Sequence, residues 1–177
     1  MSMERALISV YEKTGIIDLA QGLAQRGVAL IASGGTARTL RGAGLEVTAV
    51  SEVTGCPEIL GGRVKTLHPA IHGGILSRRT DDDRAELAVH GWSEIDLVVV
   101  NLYPFEEVAY DREATEDELI EQIDIGGVAL LRAAAKAYRH VTVVCDPEDY
   151  QVVLDEIEAA GDTRAATRQR LAAKAFR

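Results

Sequence analysis

Asp96-Leu97-Val98-Val99-Val100 is a short, nearly unbroken apolar run rich in β-branched residues, followed at once by the polar Asn101. A strand with one face in water alternates apolar and polar positions. A run that is apolar throughout predicts a strand buried on both faces, as in a parallel sheet covered by helices. Working outward, Arg5–Val10 (RALISV), Val28–Ala32 and Val141–Cys145 read the same way, and Glu46–Val50 reads as a further strand. Helical periods fall between them. Gly15–Arg26 carries Ile16, Ile17, Leu19, Ala20, Leu23 and Ala24 at amphipathic spacing. Thr36 is expected to start a short helix ending at Gly42 or Gly44, Asp81–His90 reads as an exposed acidic helix, and Glu116–Ile123 and Val128–Ala137 as helical. Asp146 opens a helix over Pro147–Ala160. This alternation predicts an α/β domain with a mostly parallel sheet flanked by helices. The stretch Ser51–Leu76 reads as irregular and Gly-rich, with Pro69 placed to begin a helix. The tail Asp162–Arg177 reads as basic and helical, with Leu171, Ala175 and Phe176 as its apolar contacts. It ends without a capping signal, as a chain cut short would. The expected organisation is a domain over 1–160 and a helical tail over 161–177.

Composition narrows the class. The 177 residues are 47% hydrophobic and 27% charged, enough for one domain with a real core. A formal net charge of -9 argues against a nucleic-acid partner, whose binders show a broad basic face. It leaves a small anion open, because such a ligand feels only the local field. No apolar run is long enough to span a membrane and no secretory leader is present, so a cytoplasmic location is expected. Cys56 and Cys145 are too few for a disulfide framework and are expected reduced and partly buried.

The local charge pattern points to such an anion. Gly61-Gly62-Arg63-Val64-Lys65-Thr66-Leu67-His68-Pro69 lies in a stretch, Ile59 to Thr80, without a single carboxylate, and none occurs between Asp18 and Glu46 either. Ser33-Gly34-Gly35-Thr36 joins a strand to a helix. Its free amides and the helix dipole suit an anion, although a tight turn with Thr36 as a cap explains the same residues. It is neither a Walker loop nor a dinucleotide fingerprint. Lys13, just after the first strand, either reaches the same anion or faces solvent. In open α/β sheets ligands sit beyond the carboxyl ends of the strands, and Tyr11, Glu12, Lys13, Ser33–Thr36 and Asn101-Leu102-Tyr103-Pro104 all follow strand ends. Tyr103 is either a proton relay or an aromatic lid. Asp124 is a candidate carboxylate or a simple charge before a helix, and Gly126 and Gly127 permit close approach of a ligand. Lys136 falls at the end of the Val128–Ala137 helix, where the alternative is a favourable cation at the dipole's negative end. His68 and His72 are four apart, but Pro69 and the lack of a nearby Glu argue against a zinc-protease arrangement, and no metal is assigned.

Taken together, ALISVYEKTG, SGGTARTL, TGCPEILGGRVKTLHPAIHGGIL, DLVVVNLYPF and IDIGG followed by AAAK resemble the IMP cyclohydrolase domain of the bifunctional purine biosynthesis enzymes, in that family's order over roughly positions 6–150. The resemblance implies a methylglyoxal-synthase-like three-layer fold. It implies closure of the purine ribotide FAICAR to IMP with loss of water, needing no metal or cofactor in this domain. The family's formyltransferase domain, which uses 10-formyltetrahydrofolate, is not part of this sequence, and the full-length enzyme is expected as a homodimer. By resemblance, Lys65, Tyr103, Asp124 and Lys136 carry catalysis. Ser9, Tyr11, Lys13, Ser33, Gly34, Gly35, Thr36, Arg63, Thr66, Asn101, Gly126 and Gly127 hold the ribotide. Tyr11-Glu12 stands where the family often has Ser-Asp, and Val128 and Ala137 replace a frequent Pro and Asn. Two other classes fit parts of the pattern. A lyase acting on a triose phosphate would share the phosphate loop without needing NLYPF or GRVKTLHP. A non-catalytic nucleotide-sensing module would not need all four catalytic candidates.

Overall fold

The computed structural model describes residues 2–103, 105, 110 and 115–177. Pro104, part of the NLYPF motif, lies outside the described residues. Five strands form one sheet in the order β3-β2-β1-β4-β5, with every pairing parallel. They are β1 (Arg5–Val10), β2 (Ala29–Ala32), β3 (Thr48–Ala49), β4 (Leu97–Asn101) and β5 (Thr142–Val144). The helices are α1 (Ile16–Gln25), α2 (Gly34–Gly42), α3 (Val50–Thr54), α4 (Pro69–Leu76), α5 (Asp81–Val89), α6 (Glu116–Glu121), α7 (Gly126–Lys136), α8 (Tyr150–Ala160) and α9 (Ala165–Lys174).

The period-2 alternation of strand side chains divides the core into two layers. Ala6, Ile8, Val10, Leu97 and Val99 face one side, against Leu19 and Leu23 of α1, Leu40 of α2 and Val153 and Ile157 of α8. Leu7, Val98, Val100 and Val143 face the other, against Ile71 and Ile75 of α4 and Leu130 and Ala134 of α7. The sheet is therefore covered on both faces, as the apolar Leu97–Val100 run requires. Helix α9 joins the core, with Leu171 only 1% exposed and Ala172 also buried. The chain winds outward from β1 to β3 and then crosses to β4 on β1's other side. The strand order therefore reverses between β1 and β4, and a crevice opens beyond their carboxyl ends.

Several expectations are corrected in detail. β3 is two residues long rather than five. The Val47 carbonyl is taken by the Arg41 guanidinium, at 3.1 and 2.6 Å, and a helix begins at Val50, so only Thr48 and Ala49 are left to pair. The Ser51–Leu76 stretch is irregular only in its middle, since α3 and α4 occupy its ends. At α4, Pro69 takes the first turn and the His68 ring Nδ1 caps the helix, accepting from the Ala70 amide at 3.1 Å. α2 starts at Gly34, so Ser33 and not Thr36 stands at its N-cap. Cys56 is exposed rather than partly buried, and both cysteines are free.

At the other end of the sheet, the Asp96 carboxylate accepts the Glu4 and Arg5 amides at 2.8 Å each, which fixes β1 against β4. Arg79 bridges Asp96 and Glu94 at 2.9 and 2.8 Å. α4 is held close to this corner: Ile95 donates its amide to the Gly74 carbonyl at 2.9 Å. A Cβ at Gly74 would lie 2.5 Å from the Ser93 carbonyl oxygen, a backbone atom that cannot swing away. Gly74→Ala is therefore expected to destabilise the protein by about 2 kcal/mol, overpacking outweighing the gain in helix propensity. A thermal melt should show a midpoint lowered by several degrees. Gly42→Ala, where a Cβ would meet nothing within 4 Å, should leave the midpoint unchanged or raised.

Candidate active site

A cavity of about 210 Å³ opens at the β1/β4 switch point. The end of β1 contributes Ser9, Tyr11 and Lys13, the β2–α2 junction Ser33, Gly35 and Thr36, and β4 Asn101 and Tyr103. Lys65 and Thr66 come from the loop before α4, and Asp124, Gly126 and Gly127 from the start of α7. A neighbouring groove of about 390 Å³ shares Tyr103, Asp124 and Gly126 with it and adds Arg63. The two together reach the size of an ordinary small-molecule site. A larger cavity of about 540 Å³ lies at the opposite end of the sheet, among Arg79, Glu94 and Asp96. Arg79 there pairs with Glu94 and Asp96, whereas the strand-end cavity gathers hydroxyls, lysines and a carboxylate from separate strand ends.

The side chains are fixed in different ways. Thr36 is not a cap. Its hydroxyl accepts the Val10 amide at 3.2 Å and donates to the Val10 carbonyl at 3.1 Å, tying α2 to β1 from a buried position. Ser9 and Ser33 place their hydroxyls 3.4 Å apart. Asn101 clamps the turn after β1: its Oδ1 accepts the Tyr11 and Glu12 amides at 2.6 and 3.0 Å, and its Nδ2 donates to the Glu12 carbonyl at 2.9 Å. The amide of Asn101 is thus occupied in shaping the site. The Tyr11 ring lies 5.0 Å from the Tyr103 ring, tilted by 56°, so the residue at position 11 supports Tyr103 with an aromatic face. Lys13 donates from Nζ to the carbonyls of Val10 and Tyr11 at 2.5 and 2.8 Å. Partial burial pushes its ammonium below the usual lysine range against the pull of the Glu12 carboxylate, so an arriving anion would be favoured at this position.

Asp124 accepts the Gly127 amide at 2.6 Å. A Cβ at Gly127 would come within 2.5 Å of Asp124 Oδ2 and 2.9 Å of Leu102 Cδ2, which explains a glycine there. Lys65 Nζ lies over two glycines: a Cβ on Gly34 or Gly62 would stand 2.9 or 2.8 Å from it. Gly34, expected to admit a ligand, thus also admits this lysine.

Lys65, Tyr103 and Asp124 are brought to one cavity. Lys136 is not. It is the last residue of α7, exposed, ten residues beyond Gly126 and so about 15 Å along the helix axis. Its place at a helix C-terminus matches the dipole explanation. Arg63 borders the adjoining groove, where it pairs with Glu121. Gly34 contributes its amide at the edge, and Glu58 accepts it. Glu58 was not read from the sequence; its only signal was its place as the last carboxylate before the acid-free stretch. Among the described residues, no group of three or more His, Cys, Asp or Glu side chains is placed to hold a metal, and no helix is long and apolar enough to cross a membrane.

The parallel three-layer fold with its strand-end site defines a class: the chain belongs to the MGS-like domain family, which it matches over residues 15–129. Residues 134–177 match the AICARFT/IMPCHase bienzyme family. The chain is 56% identical over 176 residues to the bifunctional purine biosynthesis protein PurH of Roseobacter denitrificans, covering 98% of this chain and 33% of that protein. It is 58% identical over 173 residues to PurH of Chloroflexus aurantiacus, covering 97% of this chain and 34% of that one. The chain spans about a third of the length of these curated relatives. The crystal structure of ForH superposes with a TM-score of 0.84 at 41% identity, over 99% of this chain and 92% of that one. The resemblance read from GRVKTLHP, NLYPF and IDIGG is borne out at the level of family and fold.

Proposed function

We propose that this chain is an IMP cyclohydrolase, closing FAICAR to IMP with release of water. The observation that carries this reading is the convergence of Lys65, Tyr103 and Asp124, from three separate segments, on the cavity that also holds the Ser33–Thr36 anion seat. The substrate's 5′-phosphate would lie against the α2 N-terminus and Lys13, where the free amides, the helix dipole and a partly desolvated ammonium favour negative charge. That placement directs the imidazole ring toward Asp124 and Tyr103.

A carboxamide nitrogen is a poor nucleophile and a formamide carbon a poor electrophile. Holding both in one substrate makes their encounter intramolecular. The nitrogen then attacks the formyl carbon, and its proton is removed as the formyl oxygen gains negative charge. Asp124 is the proton acceptor in this reading, and Lys65 and Tyr103 donate to the developing oxyanion. Water then leaves, built from the formyl oxygen, the carboxamide proton and the proton of the former formamide nitrogen, and the ring double bond forms. Each step moves a proton, so the reading needs no cofactor in this domain. The relatives' name as bifunctional proteins fits a longer parent in which a separate domain transfers the formyl group from 10-formyltetrahydrofolate.

The test is direct. The 177-residue chain incubated with FAICAR should generate the purine absorbance of IMP without added metal or folate. Absence of any turnover by correctly folded protein would remove the cyclohydrolase assignment and leave a nucleotide-binding module.

A further inference from the structure

Glu58 holds two of the donors that the site offers to an anion. Its Oε1 accepts the Gly34 amide at 3.2 Å, at the first turn of α2, and its Oε2 lies 3.5 Å from Lys65 Nζ. The segment that carries it, residues 56–65, is loosely attached. It enters through Gly55 in the left-handed region, at φ 67°, and leaves at the buried Thr66. Its own backbone bonds are internal: Gly62 N to Ile59 O at 2.9 Å, Arg63 N to Leu60 O at 3.3 Å, and an antiparallel bridge between Ile59 and Val64. Among the described residues, its polar links to the rest of the chain are the Thr54–Cys56 turn, Cys56 Sγ at 3.8 Å from His68 Nε2, the Arg63–Glu121 pair and Glu58 itself. Ile59 and Leu60 beside Glu58 are 51% and 70% exposed, so no apolar packing pins the strap there.

We propose that the Glu58 carboxylate is the resting occupant of the anion seat and that the substrate's phosphate displaces it, freeing Lys65 for chemistry only once the anion has arrived. The proposal rests on the cyclohydrolase reading for the identity of the substrate, but its physical content concerns any phosphate monoester. A carboxylate brings one charge, whereas a phosphate monoester brings close to two at neutral pH and three acceptor oxygens. At the Gly34 amide the exchange therefore favours a phosphate, and Lys65 loses its carboxylate partner as Glu58 leaves. A ligand without an anion has nothing to exchange and leaves Lys65 paired. Because every displacing ligand removes the same carboxylate, deleting that carboxylate strengthens all of them by one common factor. For a charge-assisted pair that is partly exposed, the factor is roughly fivefold.

The experiment is calorimetric titration of the wild-type chain, Glu58→Gln and Glu58→Ala with inosine 5′-monophosphate, ribose 5-phosphate and inosine. Both phosphate-bearing ligands are expected to tighten by the same factor, about fivefold, with inosine unchanged, and the KM for FAICAR should fall in step. Unchanged or weakened phosphate binding in both variants would overturn the proposal, because it would show that Glu58 supports the site and does not compete for it. Tightening without any turnover of FAICAR by the wild type would keep the latch and discard the cyclohydrolase. Failure of all three proteins to bind either phosphate-bearing ligand would defeat the latch, and the turnover of FAICAR would still decide the cyclohydrolase.

Discussion

Asp124→Asn should lower the turnover of FAICAR between about a hundredfold and ten-thousandfold while the protein stays folded. The substitution is chosen because asparagine keeps an oxygen where Asp124 Oδ1 accepts the Gly127 amide at 2.6 Å. The start of α7 therefore retains its hydrogen bond, and the close approach of Gly127 to this side chain is undisturbed. What disappears is a group able to take a proton from the carboxamide nitrogen. Stopped assays under saturating substrate should locate the loss in kcat, since a proton acceptor acts at the transition state and contributes little to ground-state binding. A wild-type kcat in a folded Asp124→Asn protein would show that another group removes the proton. Asp124→Ala is less informative, because it would remove the hydrogen bond to the Gly127 amide and the charge together.

Leu7→Ala should destabilise the protein by about 3–4 kcal/mol, with the thermal midpoint falling by roughly 10 °C. Leu7 is fully buried at the middle of β1, the central strand, and belongs to the core layer formed with Ile71, Ile75 and Leu130. Neighbours on both the sheet and the helices are fixed by their own packing, so the void left by the missing methyl groups cannot collapse fully. Against a typical total stability of 5–15 kcal/mol this is a large fraction. Because Ser9 and the Val10 backbone that holds Thr36 follow two and three residues later, the site should loosen before global unfolding. Urea melts of Leu7→Ala beside Val89→Ala would check the assignment: Val89 is 82% exposed, and its truncation should move the midpoint little.

The layered fold was legible because it depends on local apolar patterning. Leu97–Val100 could only be a strand covered twice, and β1 repeated that reading with alternate residues assigned to opposite layers. The shortening of β3 was not legible. It depends on the Arg41 guanidinium folding back onto the Val47 carbonyl, a side-chain contact that no periodicity signals. The same holds for Thr36, whose type suggested a cap but whose partner is the backbone of another strand. Within the site, Lys65, Tyr103 and Asp124 were found through motifs, and the fold joins them because loop, strand end and helix start meet at one crevice. Lys136 came from the same kind of motif reading, but it is the last residue of α7, about 15 Å along the axis from the helix start at the cavity. Glu58 was missed because its main partner is a backbone amide 24 positions earlier, and a main-chain group leaves no mark in composition.

The two outermost strands have a consequence for how this chain behaves in concentrated solution. β3 and β5 are two and three residues long, so each border of the sheet exposes only a few unpaired amides and carbonyls to another molecule. An open border is the usual template on which sheets of neighbouring molecules add to one another and grow into insoluble aggregates. Here that template is too short to hold a foreign strand in register, and α9 packs alongside β5. A protein whose strands are mostly apolar is thereby protected from polymerising through its own architecture.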